Sequence, residues 1–291
     1  MWQTLIDALK DAGMDSLKLI PFLFLTYLVM EYIEHKMGEK SRQTIQKSGG
    51  AGPIVGGLLG VVPQCGFSTV ASNLYAGRII TVGTLLAVFL STSDEMLPIF
   101  ISEAVPLPTV IKILGIKCLI AIVAGVLVDC VVRLLWKKPA ENRMKDLCEQ
   151  EHCHCEKGIF RSAFVHTGKI TLFLFLVSFG LNLVICTVGE DALKHFIGGQ
   201  PVVASFLAGL VGLIPNCAAS VVITELYLEQ VISVGAMFSG LLVSAGVGLL
   251  VLFRVNDNLK ENLGILATLY GIGVGAGIVL EFVFEILNFV L

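Results

Sequence analysis

Charged side chains are scarce in this chain. Asp, Glu, Lys and Arg make up 15% of its 291 residues, whereas a soluble domain carries about 25%. Residues 171–189 contain no charged side chain, and Arg78 is the only one within residues 49–93. Apolar runs of this length can cross roughly 30 Å of hydrocarbon as helices. The composition therefore excludes a soluble globular protein and predicts an all-α polytopic membrane protein within a lipid bilayer.

Several motifs are also missing from the sequence, and each absence argues against a class of function. There is no Walker A string and no His-Glu-x-x-His, which disfavours ATP hydrolysis and an intramembrane metalloprotease. We place the Lys and Arg residues in loops without a basic face, which gives nucleic-acid binding no support. These patterns predict neither an enzyme nor a cofactor.

An internal repeat organises the chain. Residues 57–68 (GLLGVVPQCGFS) recur as residues 209–220 (GLVGLIPNCAAS), and the ungapped match continues at this offset of 152 residues. The sequence therefore predicts two fused copies. We divide it into an interfacial N-terminal helix, a first transmembrane repeat, a cytoplasmic linker and a second transmembrane repeat, at residues 1–16, 17–136, 137–165 and 166–291.

Each copy is predicted to contain about three full spans and one broken helical hairpin. In the first copy the hairpin is the apolar stretch 52–77, interrupted at residues 63–66. Its arms of about 12 to 14 residues are too short for a comfortable crossing, which favours a re-entrant hairpin over two full spans. With both arms counted, the two copies have ten hydrophobic helices in all. Either interpretation gives an odd number of crossings per copy, so the second copy is expected to be inverted.

The basic residues indicate the orientation. If the loop after the first span is cytoplasmic, most of the 20 Lys and Arg residues lie on that side, as the positive-inside rule requires. Both termini then face outward. Inverted repeats whose broken helices meet at the midplane are typical of secondary transporters.

The two hairpin tips are the strongest candidates for a substrate site. A proline ends one half-helix at each tip and leaves backbone groups that a substrate can satisfy. Paired thiols at the tips would suit a thiophilic metal or metalloid; alternatively, small residues and cysteine simply let the tips pack closely. The candidate side chains are Gln64, Cys65, Ser68, Asn216, Cys217 and Ser220.

Two adjacent acids interrupt an apolar span of the first copy. Asp94 and Glu95 follow three hydroxyl residues and precede Pro98. A carboxylate inside a span is costly and commonly marks an ion or proton path. The pattern predicts an unwound, oxygen-rich patch for a divalent cation or for protons, while the alternative is a helix end at the outer surface. The second copy lacks these acids.

Other polar residues of the spans have both a functional and a structural interpretation. Glu31 and His35 lie on one helical face and suit a metal or a proton, or they mark the headgroup boundary. Glu225 corresponds to Asn73 and would place a charge at the substrate site in one copy only. The equivalent acids Asp129 and Glu281 are interpreted as residues at span ends.

The central linker concentrates metal-ligand side chains. Three thiols and two imidazoles are the ligand types that zinc and other thiophilic metals prefer. Without two Cys-x-x-Cys pairs a closed finger is disfavoured, so we predict a flexible cytoplasmic metal-gathering loop, the alternative being a dispensable linker. Thiols on this side stay reduced rather than forming a disulfide framework. The cluster consists of Cys148, His152, Cys153, His154 and Cys155.

The chain resembles the ten-transmembrane heavy-metal exporters, a bacterial family labelled arsenic efflux protein or manganese transporter. The resemblance covers nearly the whole chain and is carried by strings such as FLFLTY at 22–27, PQCG at 63–66, STSDE at 91–95 and PNCA at 215–218. It implies export of a metal or metalloid across the bacterial cytoplasmic (inner) membrane. Manganese prefers oxygen ligands and arsenic(III) prefers sulfur, and this chain offers both kinds.

Together these patterns predict a secondary-active exporter of a Mn(II)-like divalent cation or an arsenic species. The substrate is held between the hairpin tips, and H⁺ is the expected coupling ion. One alternative is export of a small organic anion, because half-helix N-termini favour negative charge. Another is a membrane thiol-redox enzyme that pairs Cys65 with Cys217. The sequence leaves open whether the protein forms a homo-oligomer.

Overall fold

The computed structural model describes residues 51–62, 65–93, 96–135 and 201–286, with isolated positions within 9–28 and 164–180. Over these residues the secondary structure is α-helix joined by turns, without a strand. The predicted all-α class is confirmed. Most of the predicted N-terminal helix and of the linker at 137–165 lies outside the described residues.

Ten helices lie in the continuous ranges 51–62, 65–93, 96–135 and 201–286, five in each copy. Those of the first copy are α1 (Gly52–Gly60), α2 (Cys65–Ala76), α3 (Val82–Ser91), α4 (Met96–Ser102) and α5 (Leu107–Leu135). Those of the second copy are α6 (Pro201–Gly212), α7 (Cys217–Leu228), α8 (Val234–Val243), α9 (Val247–Val255) and α10 (Leu259–Ile286). Helices α2 and α7 begin and end 152 residues apart, as do α3 and α8, which is the offset of the sequence repeat. Their orientation across a membrane stays a prediction.

Within the part of the chain that the structure describes, four stretches are long and apolar enough to span a membrane. They are Val82–Ser102, Leu107–Leu134, Val234–Val255 and Leu259–Ile286. The second and fourth are the unbroken helices α5 and α10, whereas the first and third each consist of two short helices. The hairpin arms α1 and α2 have 9 and 12 residues, or about 14 and 18 Å of helix. Both arms are thus shorter than the hydrocarbon core, and the re-entrant path stays a prediction.

The interruption predicted around the acids of the first copy is present. Helix α3 ends at Ser91, and the hydroxyls of Ser91 and Thr92 both bond back to the carbonyl of Val88, at 3.1 and 2.7 Å. Such local bonds compete with continuation of the helix. The second copy breaks at the equivalent place without any acid, because Gly246 adopts φ 55°, a conformation that suits glycine. The backbone break is therefore common to both copies, while the acid pair belongs to one.

The broken helices form the centre of the molecule. Every residue of α8 from Gly235 to Val243 is buried, and α3 is buried from Gly83 to Ser91. Helix α5 packs on α3, and α10 packs on α8. These two long helices expose large apolar side chains such as Leu119 and Val279. An apolar exterior of this kind is the surface that lipid covers.

Carboxylates from the long helices cap the central helices in both copies. Asp129 of α5 accepts hydrogen bonds from the N–H of Gly83 at 2.8 Å and from the hydroxyl of Thr81 at 2.6 Å. Glu281 of α10 accepts one from the N–H of Gly235 at 2.6 Å. A carboxylate at a helix N-terminus satisfies unpaired donors and opposes the positive end of the dipole. These two acids therefore act in helix capping at the ends of spans, in line with their interpretation from the sequence.

We expect Asp129→Ala to lower the free energy of unfolding by about 1–3 kcal/mol, since it leaves buried donors without an acceptor. Asp129→Asn retains one acceptor and is expected to lose less. Thermal unfolding of the detergent-purified protein measures the effect, with the exposed Glu103→Ala as the control. Equal stability of Asp129→Ala and Glu103→Ala would contradict the capping role.

Candidate substrate site

The ends of the hairpin arms lie against the breaks in the central helices. A Cβ added at Gly60, the last residue of α1, would overlap the hydroxyl of Ser91 at the end of α3. In the second copy, a Cβ at Gly212 would overlap the carbonyl of Gly240 in α8. Glycine at both positions lets the backbones approach closely. Each hairpin tip therefore begins where its own central helix stops.

Each hairpin also contacts the break of the other copy. The hydroxyl of Ser72 in α2 lies 2.6 Å from the carbonyl oxygen of Gly248 and 2.9 Å from that of Ser68. Gly248 is the second residue of α9, directly after the break at residues 244–246. A Cβ at Gly248 would overlap Ser68. The arm that leaves the first tip is thus seated on the break of the second copy.

The second hairpin makes the corresponding contact with the first copy. Helix α7 packs on α4, and the rings of Tyr227 and Phe100 meet edge to face with centroids 6.4 Å apart. At the start of α7, the side chain of Asn216 accepts a hydrogen bond from the N–H of Ala218 at 3.4 Å. Helix α7 of the second hairpin thus packs on the helix that follows the break of the first copy.

Buried polar side chains line the outgoing arm of the first hairpin. Ser68, Thr69, Ser72 and Asn73 are fully buried and lie on one face of α2. The amide of Asn73 donates to the carbonyl of Thr69 at 3.2 Å. In the second hairpin, Ser220 and Thr224 are buried and the Thr224 hydroxyl donates to the Ser220 carbonyl at 2.7 Å. Both arms thus present hydroxyls in the protein interior near the tips.

Lys117 is a central residue that the sequence analysis missed. It lies in α5, within a candidate span, and is fully buried. Its ammonium group donates to the carbonyl of Thr92 at 2.5 Å and to that of Leu241 at 3.1 Å. The placement of all Lys and Arg residues in loops was wrong, because this lysine finds carbonyl partners inside the bundle. Its position in an otherwise apolar run was the available signal, since an ionisable residue in a span marks a functional position by default.

Arg78, the lone charge of residues 49–93, ties the two copies together at another point. Its guanidinium donates to both carboxylate oxygens of Glu261 in α10, at 2.5 and 2.7 Å. The Tyr75 hydroxyl also donates to Glu261, and the guanidinium lies 5.1 Å from the centre of the Tyr75 ring. Hydrogen bonding to Glu261 raises the pKa of the Arg78 guanidinium above its usual value. The guanidinium therefore stays charged at physiological pH.

Only some of the predicted site residues are described. Ser68, Asn216 and Ser220 are buried near the tips, and Glu225 is partly buried in α7. Cys65 and Cys217 are the first residues of α2 and α7, but their side chains lie outside the described set. Gln64, Asp94, Glu95, Glu31, His35, Cys148, His152, Cys153, His154 and Cys155 also lie outside it. Among the residues that are described, no three His, Cys, Asp or Glu side chains form a metal-binding group.

The helices and candidate spans define a multi-pass membrane protein with paired broken helices. A family model described as "Putative, 10TM heavy-metal exporter" matches residues 2–163, more than half of the chain. The protein belongs to this family of heavy-metal exporters. No curated protein and no solved structure matches it. The matched part covers the first copy, including Lys117.

We expect Gly248→Ala to destabilise the contact between α2 and α9, because the new Cβ meets the side chain and backbone of Ser68. Thermal unfolding in detergent measures the loss. Gly115→Ala in α5 is the matched control, since a Cβ there meets nothing within 4 Å and Ala favours a helix by roughly 0.5–1 kcal/mol. The contact would be refuted if the two variants changed stability in the same direction and by the same amount.

Proposed function

We propose that the protein is a secondary-active transporter that exports a heavy metal or metalloid across the bacterial cytoplasmic membrane. The observation that carries this proposal is the seating of each hairpin arm on the break of the opposite copy, as at Ser72 and Gly248. Broken backbone at membrane depth is tolerated where it is buried in protein or lines a water-filled cavity. In secondary transporters, such breaks meet at the substrate site. The family membership supplies the class of substrate.

In the proposed mechanism, the substrate binds between the two hairpin tips. Gln64, Cys65 and Ser68 of one tip face Asn216, Cys217 and Ser220 of the other. The two copies are inverted and rock against each other, which opens the site to one side of the membrane at a time. No Walker A string is present in the sequence, so an ion gradient rather than ATP hydrolysis in this chain supplies the energy.

Protons are the proposed coupling ion, and carboxylates are the groups that exchange them. Asp94 and Glu95 follow Thr92 closely in the sequence, and the Thr92 carbonyl lies at the centre of the molecule beside Lys117. Glu31 and His35 extend the proton path in the first span, and Glu225 adds a charge near the second tip. The thiols and imidazoles of residues 148–155 gather the metal on the cytoplasmic side.

The chain offers two sets of candidate ligands, and each set favours a different substrate. Oxygen ligands from Asp94, Glu95, Glu31 and Glu225 favour a Mn(II)-like cation. Sulfur ligands from Cys65 and Cys217 favour trivalent arsenic. The buried charge of Lys117 bears on this choice, because it repels a metal cation unless carboxylates compensate, whereas it leaves a neutral arsenic species unaffected.

The same lysine supports a second candidate function, export of a small organic anion. Half-helix N-termini at α2 and α7 add partial positive charge, and Lys117 adds a full one. Such a site needs no metal. Transport that persists unchanged in the presence of a chelator would favour this function over metal export.

Uptake into inverted membrane vesicles tests the proposal directly. The panel contains Mn(II), Zn(II), Fe(II), arsenite, methylarsenite and small organic anions, each with and without a pH gradient. We expect gradient-dependent uptake of a metal or metalloid. If none of the metals or metalloids is taken up, metal export is refuted. If uptake is the same with and without the pH gradient, proton coupling is refuted.

We expect Cys65→Ser with Cys217→Ser to reduce arsenite or methylarsenite uptake by about tenfold or more, since a loss of about 1.4 kcal/mol of binding free energy already lowers the affinity tenfold. Vesicle uptake at equal protein level measures the effect. Cys130→Ser is the control, because Cys130 is exposed on α5. Unchanged uptake of every arsenic species by the double variant would remove the thiols from the site.

We expect Asp94→Asn with Glu95→Gln to abolish uptake that depends on the pH gradient, because amides cannot exchange protons or neutralise a divalent cation. Vesicle uptake with and without the gradient measures it. The exposed Glu103→Gln removes a nearby charge and is expected to behave as the wild type. Full gradient-dependent transport by the double variant would exclude both roles for the acid pair.

A further inference from the structure

Lys117 is a buried cation that is not among the proposed ligands of a metal or metalloid. Its side chain is fully buried within the candidate span Leu107–Leu134. A charge at such a depth is costly and is retained where it has a partner and a role. Its hydrogen-bond partners include backbone carbonyls of two different central helices, one in each copy.

Both carbonyls belong to helix ends. Thr92 is the C-cap of α3, and Leu241 lies in the last turn of α8, which ends at Val243. Carbonyls in the last turn have no N–H partner within their helix. The C-terminal ends of the two helices also carry the negative ends of their dipoles. The ammonium group thus sits where two negative helix ends meet.

We propose that the Lys117 ammonium is the resident cation of a carbonyl site where α3 and α8 meet, and that it positions the two helix ends beside the substrate. Unwound carbonyls and half-helix C-termini are the groups that hold small cations in secondary transporters. Here the cation is attached to the protein. Lys117 is a positioning residue, because it contacts backbone carbonyls of α3 and α8.

The repeat supports a single resident cation. The position equivalent to Lys117 in the second copy is Leu269, which is also fully buried. One lysine already bridges the ends of both central helices, and a second would bring two like charges together in a medium of low dielectric. The lysine is therefore shared between the copies, and it fixes the distance between the two breaks.

Chemical rescue tests the site. Lys117→Ala removes the propylammonium portion of the side chain and leaves the carbonyls without a cation. We expect its melting temperature in detergent to fall by roughly 3–8 °C and added propylammonium to restore much of the loss. Neutral 1-propanol is expected to restore little. Lys112→Ala, at an exposed position of the same helix, is expected to respond to neither additive.

The positioning role is tested by transport in the same vesicles. We expect Lys117→Ala to export about tenfold more slowly than the wild type and propylammonium to raise its rate. Lys117→Met keeps the length of the side chain without its charge. If Lys117→Ala does not accumulate, this variant tests whether the charge is needed to position the helix ends. We expect this variant to retain its KM and lose kcat, because the substrate ligands are intact while the helix ends are misplaced.

Two results would overturn the proposal. One is a Lys117→Met protein as stable and as active as the wild type. The other is equal rescue of Lys117→Ala by propylammonium and 1-propanol, which would mean that the side chain only fills space. The transport measurements rest on the proposed function, whereas the measurements of melting temperature are independent of it. A wild-type protein that exports no tested substrate would therefore refute the function and leave the cation site to be judged by stability.

Discussion

A helix that stops inside hydrocarbon leaves backbone groups that have no water to bond, and each unsatisfied group costs several kcal/mol. This constraint governs the central helices of the protein. At the C-terminal ends of α3 and α8, the carbonyls of Thr92 and Leu241 accept hydrogen bonds from Lys117. At the start of α9, the hydroxyl of Ser72 from the opposite copy adds a hydrogen bond to the carbonyl of Gly248. The first copy therefore supplies hydrogen-bond donors to backbone carbonyls at the break of the second copy.

The helices are duplicated in the two copies, but several of their polar side chains are not. The caps are repeated, with Asp129 at Gly83 and Glu281 at Gly235. In contrast, Lys117 corresponds to Leu269 in the repeat, and the acids of the first break are replaced by glycine and valine. The frame of helices thus follows the repeat. Lys117 and the acid pair, to which we assign roles in positioning and coupling, occur only in the first copy.

The sequence predicted features that are encoded locally. Proline and repeated glycine spacing indicated the tips, and hydroxyls followed by acids indicated the break after Ser91. The break before α9 gave a weaker signal, because Gly246 lies in a segment that also contains other small residues. Lys117 and its partner Leu241 are 124 positions apart, and no local pattern joins them. Partners that come together only when the two copies pack can be identified only once the fold is known.

If the substrate binds beside Lys117, as proposed, selectivity depends on the net charge of the site when substrate is bound. Two unit charges 4 Å apart interact by about 4 kcal/mol at an effective dielectric constant of 20. A divalent cation beside Lys117 would meet twice that repulsion, which only nearby carboxylates can offset. In the first copy Asp94 and Glu95 are the acids nearest in sequence to Thr92, the lysine's partner. Under the proposed mechanism, export of a divalent cation requires these acids to be ionised, whereas export of a neutral metalloid or an anion does not.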